Sequence, residues 1–179
     1  MQKKYFIFDL DNTLVKTNRA NNKSYEEAIK VVTGIDFHHK KQRFTRGDLA
    51  LAISDLTPIQ ILEIIKLKED LYTKYIQETT LNVQLVKCLK LLKNNGEETI
   101  LLTESRKSRA QQVCNYYNLD QFFCQQYYLE DYNGTNKYHY LISKNYFLDS
   151  VILFENDRNE IWKARRFGIL KNQIITIKF

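Results

Sequence analysis

No apolar run in the sequence approaches the length of a membrane span. No membrane partner is therefore expected. The opening Met1-Gln2-Lys3-Lys4 has the positive charge of a signal peptide, but the apolar stretch behind it is too short and ends in two acids, so a cytoplasmic location is expected. Cysteine is scarce: Cys88, Cys114 and Cys124 are odd in number and show no close pair spacing. That argues against a disulfide framework or a zinc site and leaves buried free thiols as the expectation. An arginine-rich stripe is also missing. The formal charge of +6 comes from cations scattered along the chain, which can attract anionic substrates but disfavours, without excluding, a nucleic-acid partner. Repeats and low-complexity segments are absent as well, so the 179 residues, 44% of them hydrophobic, read as one domain with room for an insertion.

What the chain does have begins at Tyr5-Phe6-Ile7-Phe8-Asp9-Leu10-Asp11-Asn12-Thr13-Leu14. Four aromatic or β-branched residues bounded by Asp and Asn read as a short strand buried on both faces, of the kind found in parallel sheets. Asp9 and Asp11 then stand at its carboxyl end, the edge at which open α/β sheets bind ligands. Two carboxylates held so close repel unless a cation or a shared proton intervenes. A hard divalent ion with oxygen ligands is the simplest relief, and Mg²⁺ is the expected cofactor.

From residue 16 to 80 the pattern is helical. Ser24 to Glu27 has the spacing of a capping box, Gly34 a left-handed stop, and Thr57-Pro58 the signature of a helix start. Ile61, Ile64, Ile65, Lys68, Leu71, Tyr72, Tyr75 and Ile76 continue at helical steps. His38 and His39 fall in a polar, basic connector and read as solvated, and His139 stands alone. From Asn82 onward helices and buried strands alternate. The strands are expected at Thr99 to Thr103, Phe122 to Leu129 (a strand or extended loop), Val151 to Phe154 and Gln173 to Lys178, with Ser105 or Ser108 as a helix cap between the first two. That order implies an α/β fold with a mostly parallel sheet covered on both faces, built from residues 1–15 and 81–179, with residues 16–80 as a helical insertion.

The segment Phe8-Asp9-Leu10-Asp11-Asn12-Thr13-Leu14 resembles the first motif of the haloacid dehalogenase-like (HAD) superfamily of phosphotransfer hydrolases. The resemblance implies a Rossmann-like core in which Asp9 attacks phosphorus to form an aspartyl-phosphate and Asp11 serves as general acid and base. Thr103, at the end of a buried strand before a helix, resembles the second motif, whose hydroxyl and amide hold phosphoryl oxygens. Lys137 follows Asn136 at an expected helix start, where a cation opposes the helix dipole and needs an anion to compensate it. It resembles the third-motif lysine, with Lys144 an alternative. Glu155-Asn156-Asp157 resembles the fourth, metal-binding motif, with Asn156 where an Asp is usual, so any of the three is a candidate Mg²⁺ ligand beside Asp9 and Asp11. Phe44-Thr45-Arg46-Gly47-Asp48 is similar to the specificity loop of the helical caps of β-phosphoglucomutase and phosphoglycolate phosphatase relatives, which makes Arg46 a candidate grip on a distal anionic group. The implied function is Mg²⁺-dependent hydrolysis of a phosphate monoester on a small phosphorylated metabolite. The alternatives are a weakly active or noncatalytic binding protein, a phosphotransferase or mutase, and a nucleic-acid 3′-end phosphatase, to whose acidic pair plus arginine Asn156-Asp157-Arg158 is loosely similar. Substrate and oligomeric state are not legible.

Overall fold

The computed structural model describes residues 3–179; Met1 and Gln2, the start of the signal-peptide-like opening, lie outside them. The chain divides into two compact units, one from Met1–Lys16 (described from Lys3) with Leu81–Phe179, the other Thr17–Thr80.

In the first unit, strand β1 (Tyr5–Phe8) runs into the two acids, and the chain leaves through the short strand β2 (Val15–Lys16). The second unit carries α1 (Asn18–Thr33), α2 (Arg46–Ala52), α3 (Pro58–Leu71) and a 3₁₀ turn, Tyr72–Glu78. The chain returns through β3 (Thr80–Leu81), and β2 and β3 pair as a two-stranded sheet. There follow α4 (Val83–Asn94), β4 (Glu98–Leu102), α5 (Lys107–Tyr116), β5 (Gln125–Tyr127), α6 (Lys137–Ser143), β6 (Val151–Glu155), α7 (Arg158–Arg166) and β7 (Ile174–Thr176). The main sheet has the order β5-β4-β1-β6-β7, and each of its four pairings is parallel. This is the α/β, Rossmann-like arrangement the alternation of elements implies, with the strand bearing the acids at its centre.

Strands buried on both faces need apolar partners on both sides. On one side Ile7, Ile100, Leu102, Val151 and Leu153 meet Tyr138 and Leu141 of α6 and Ala164 of α7. The alternate residues Phe8, Leu101 and Phe154 point the other way. There Phe8 and Phe154, register partners on β1 and β6, stack with ring centres 4.3 Å apart and planes within 3°, and Phe123 meets Phe8 edge-on at 6.3 Å. Leu85, Val86 and Leu89 of α4 and Ala110, Val113 and Cys114 of α5 are buried too. Cys114 is therefore an inert thiol, its pKa raised by burial.

The helical unit packs Tyr25, Ala28, Ile29, Phe44, Leu49 and Ile64 into a core of its own. Thr57 caps α3 by accepting from the Gln60 amide at 3.2 Å while Gln60 Oε1 accepts from the Thr57 amide, with Pro58 at the first helical position as the sequence predicts. Gly34 ends α1 at φ 74°. Ser24 is a correction. It lies in the middle of α1, its hydroxyl donating to the Ala20 carbonyl at 2.7 Å, and the helix begins at Asn18. The polar first turns, poor in helix propensity, are held by tertiary bonds: Asn21 Nδ2 donates to the Phe44 carbonyl (2.8 Å), and the Phe44 amide donates to Asn22 Oδ1 (2.9 Å). Lys68, fully buried, lies 5.2 and 5.6 Å from the ring centres of Tyr25 and Tyr72 and 3.1 Å from Glu69. Aromatic faces and a carboxylate can stabilise a cation there in place of water. No helix among the described residues is long and apolar enough to cross a membrane.

Candidate active site

The rim of the sheet at the carboxyl ends of β1, β4 and β6 gathers most of the residues singled out in the sequence. Asp9 follows β1 directly, and its amide donates to the Phe154 carbonyl at 3.1 Å, so strand pairing itself fixes where the carboxylate leaves the sheet. The chain then turns back on itself. The amides of Leu14 and Val15 both donate to the Leu10 carbonyl at 3.0 Å, and Asn12 takes φ 59°, a left-handed conformation that Asn tolerates better than most residues. This turn returns the Thr13 hydroxyl to Asp9 Oδ2, at 3.0 Å, and to Asn156 Oδ1, at 2.9 Å.

Asp9 is buried, and Lys137 faces it: Nζ lies 3.5 Å from Asp9 Oδ1, 2.8 Å from Glu155 Oε2 and 3.7 Å from Glu160 Oε2. Lys137 opens α6 behind its cap Asn136, which accepts from the Tyr138 amide at 2.8 Å. The unfavourable dipole at that helix start is met by carboxylates. Burial disfavours the Lys137 charge, yet Asp9 and Glu155 outweigh it and hold its pKa well above the ordinary lysine value. Burial, then the Glu155 charge, push the Asp9 carboxyl well above the ordinary carboxylate range against the opposing pull of Lys137, and Asp11 adds to the rise. Negative charge is thus in surplus at Asp9.

Asp11 has different neighbours. Its Oδ2 accepts from the Ser105 hydroxyl and, at 3.2 Å, from Arg109 Nη2. Ser105 had the look of a helix cap, but α5 starts after Arg106, which makes no side-chain cap bond, and the Ser105 hydroxyl is turned to Asp11. Arg109 has no place in the sequence reading, and Thr13 stands there within the first motif without a role of its own. Arg109, in the first turn of α5, reaches back to the loop before the helix, where its Nη2 donates to the Ser105 hydroxyl at 2.5 Å. Thr103 is buried at the end of β4, its amide donating to Tyr127 O and its carbonyl accepting from the Tyr132 hydroxyl at 2.8 Å, while its Oγ1 accepts from the Ser105 amide at 3.1 Å.

The fourth-motif candidates separate. Both oxygens of buried Glu155 are engaged, Oε2 by Lys137 and Oε1 by the amides of Asn156 (2.9 Å) and Asp157 (3.0 Å). Asp157 Oδ1 caps α7 by accepting from the amides of Asn159 (2.7 Å) and Glu160 (3.1 Å). Asn156 brings its amide oxygen to Thr13. Arg46 is the exposed first residue of α2, in the other unit; beside it the Thr45 amide donates to Asp48 Oδ2 at 2.7 Å. Lys144 is exposed at the end of α6, away from the buried position that Lys137 holds.

Among the described residues no group of three or more His, Cys, Asp or Glu is placed to hold a metal ion. The donor set at the rim nonetheless suits a hard cation. Asp9 Oδ2 and Asn156 Oδ1 converge on one hydroxyl that has a single proton to give, and Mg²⁺ is commonly held by one or two carboxylates, waters and substrate phosphate rather than by an all-protein cage.

Known proteins share this fold. Among solved structures, the haloacid dehalogenase-like family protein SP0104 from Streptococcus pneumoniae is similar over 98% of this chain and 85% of its own, with a TM-score of 0.78 and 20% identity. CbbY from Rhodobacter sphaeroides, in complex with phosphate, is similar over 94% and 84%, with a TM-score of 0.79 and 15% identity. A protein described as a predicted phosphoglycolate phosphatase from Haemophilus somnus is similar over 94% and 83%, with a TM-score of 0.79 and 17% identity. At these identities the likeness is one of fold. No curated protein sequence matches the chain. The sequence profile of the haloacid dehalogenase-like hydrolases matches residues 6–170, nearly the whole length, and the chain belongs to that family.

Proposed function

We propose that this protein is a Mg²⁺-dependent phosphate monoester hydrolase that acts on a small phosphorylated metabolite through an aspartyl-phosphate. The observation that carries the reading is the pairing of a buried carboxylate, Asp9, with a buried ammonium, Lys137, 3.5 Å away at the end of the central strand. A carboxylate oxygen of Asp9 attacks phosphorus as the ester P–O bond breaks, and the Asp11 carboxyl gives its proton to the departing alkoxide. Asp11 then takes a proton from water, whose oxygen attacks phosphorus. The bond to Asp9 breaks, and inorganic phosphate leaves with the carboxylate restored. Thr103 and Lys137 offer a hydroxyl and a positive charge to the phosphoryl oxygens. Asp9 and Asn156 would hold Mg²⁺, with the Asp11 backbone, and the ion supplies charge neutralisation between carboxylate and incoming phosphate. The helical unit serves as the specificity cap, with Arg46 its candidate for an anionic group. Asp9→Asn is expected to abolish Mg²⁺-dependent phosphate release with an unchanged circular dichroism spectrum; turnover equal to wild type removes the nucleophile.

Asn156 supports a second reading, a weakly catalytic or noncatalytic member of the family, because an amide oxygen lacks the charge of the usual Asp. Calorimetric Mg²⁺ titration separates the two. Wild-type binding supports the hydrolase, whereas no binding in the wild type with binding restored in Asn156→Asp supports the second.

A further inference from the structure

Between the start of α6 and the last turns of α7 lies a cavity of about 370 Å³ lined by Asn136, Trp162, Lys163, Arg166 and Phe167. None of the proposed chemistry uses it. We propose that it is a nucleotide-binding site in which the base stacks on Trp162 and the phosphate meets Lys163 and Arg166.

The lining specifies the ligand by what each group requires. Trp162 is 57% exposed, unusual for the most costly side chain to leave in water, and the Arg166 guanidinium lies over one face of its ring, 4.8 Å from the centre. An indole held flat by a guanidinium offers its remaining surface as a platform for a planar base, and such stacking tolerates any base because each has a π face. The lining contains two cations and no carboxylate, so a cationic or zwitterionic ligand has nothing to pair with. A purely apolar ligand fails for the opposite reason, since it would take Lys163 and Arg166 out of water without a partner. Inorganic phosphate would satisfy the cations but leave the indole bare. A nucleotide satisfies both halves at once, and the guanidinium fork matches phosphate oxygens in geometry as well as charge. The volume falls within the range of small-molecule pockets. Asn136 also lines the cavity, its Oδ1 engaged as the cap of α6 by the Tyr138 amide.

Lys163 is shared: Glu160 Oε1 lies 2.5 Å from its Nζ, with the side chain of Lys163 42% exposed. A phosphate therefore competes for it with one carboxylate, whose side chain is 14% exposed, while Arg166 is itself exposed. The site stands independently of the hydrolase reading, because no residue of its lining is assigned a step in that chemistry.

Trp162 is the only tryptophan in the chain, so its emission reports on this cavity alone. The test is a fluorescence titration of the full-length protein in metal-free buffer, excited at the red edge of the indole band, with N-acetyltryptophanamide correcting for absorbance. The probes are ATP, AMP, adenosine, ribose 5-phosphate and inorganic phosphate. Saturable quenching by ATP and AMP is expected, with adenosine and ribose 5-phosphate each weaker by roughly tenfold or more, as loss of a base stack or of a phosphate contact requires. Arg166→Gln, at an exposed position, should weaken AMP binding about tenfold with an unaltered circular dichroism spectrum. Absence of saturable quenching up to about 1 mM ATP overturns the proposal. So does equal quenching by adenosine and AMP, equal quenching by ribose 5-phosphate and AMP, or an affinity that Arg166→Gln leaves unchanged.

Discussion

Replacing Lys137 by methionine keeps most of the aliphatic stem and removes the charge. Its ammonium sits among Glu155 at 2.8 Å, Asp9 at 3.5 Å and Glu160 at 3.7 Å, and Lys137 and Glu155 are each 1% exposed. Water cannot take over the lost interaction. Breaking a buried ion pair by removing one partner costs about 3–5 kcal/mol, because the other charge is left uncompensated. Two features set the expectation near the lower end. Glu155 keeps the Asn156 and Asp157 amides as donors, and Asp9, whose pKa is already raised, can take up a proton. A loss of about 3 kcal/mol corresponds to a melting temperature lower by roughly 6–12 °C in a chain of this size. Urea unfolding followed by Trp162 emission reads the unit that contains Lys137. The double variant Lys137→Met/Glu155→Gln is informative in addition, since removing the stranded anion should restore about 1–2 kcal/mol of the loss. A destabilisation below about 1 kcal/mol, or a double variant less stable than the single one, refutes the view that Lys137 compensates buried carboxylates.

Arg109→Gln removes a cation from Asp11 without touching the Asp9 side of the site. If Ser105 and Arg109 orient Asp11, kcat should fall about tenfold to a hundredfold with little change in KM and no change in melting temperature. Asp48→Asn bears on the helical unit. Lys41, and next the Thr45 hydroxyl, hold the Asp48 carboxyl down to about 2, so its contribution is present above the ordinary carboxylate pKa and lost as the pH falls toward about 2. The variant should be about 1 kcal/mol less stable at neutral pH, the worth of a helix cap, because the surface pair with Lys41 adds little. That difference should close on acidification to the pH of that depressed carboxyl, as read by helical ellipticity.

The sequence was most legible where local chemistry and tertiary structure ask for the same residue. The apolar run before Asp9, the Thr57-Pro58 start and the Gly34 stop all act within a few residues, and each stands where the pattern puts it. Lys137 was legible by a conflict instead, a cation at a helix start that only distant anions could satisfy. Ser24 and Ser105 misled because a serine before a helix-like run has the same local signature whether it caps or not. In α1 Phe44 decides the outcome from 22 and 23 residues away, and the Ser105 hydroxyl meets Asp11 across 94. Arg109 and Glu160 carry no local signature, since an arginine or glutamate on an exposed helix face looks like ordinary solubility until the fold brings a partner to it.

The stacked rings of Phe8 and Phe154 close the final rung between β1 and β6, and the Asp9 amide is bonded to that same rung. The Asp9 backbone is therefore tethered to the interior of the sheet rather than to a loop. Deuterium should enter at the Asp9 amide only through openings large enough to part β1 from β6, so the backbone that carries this carboxylate is as steady as the core beneath it.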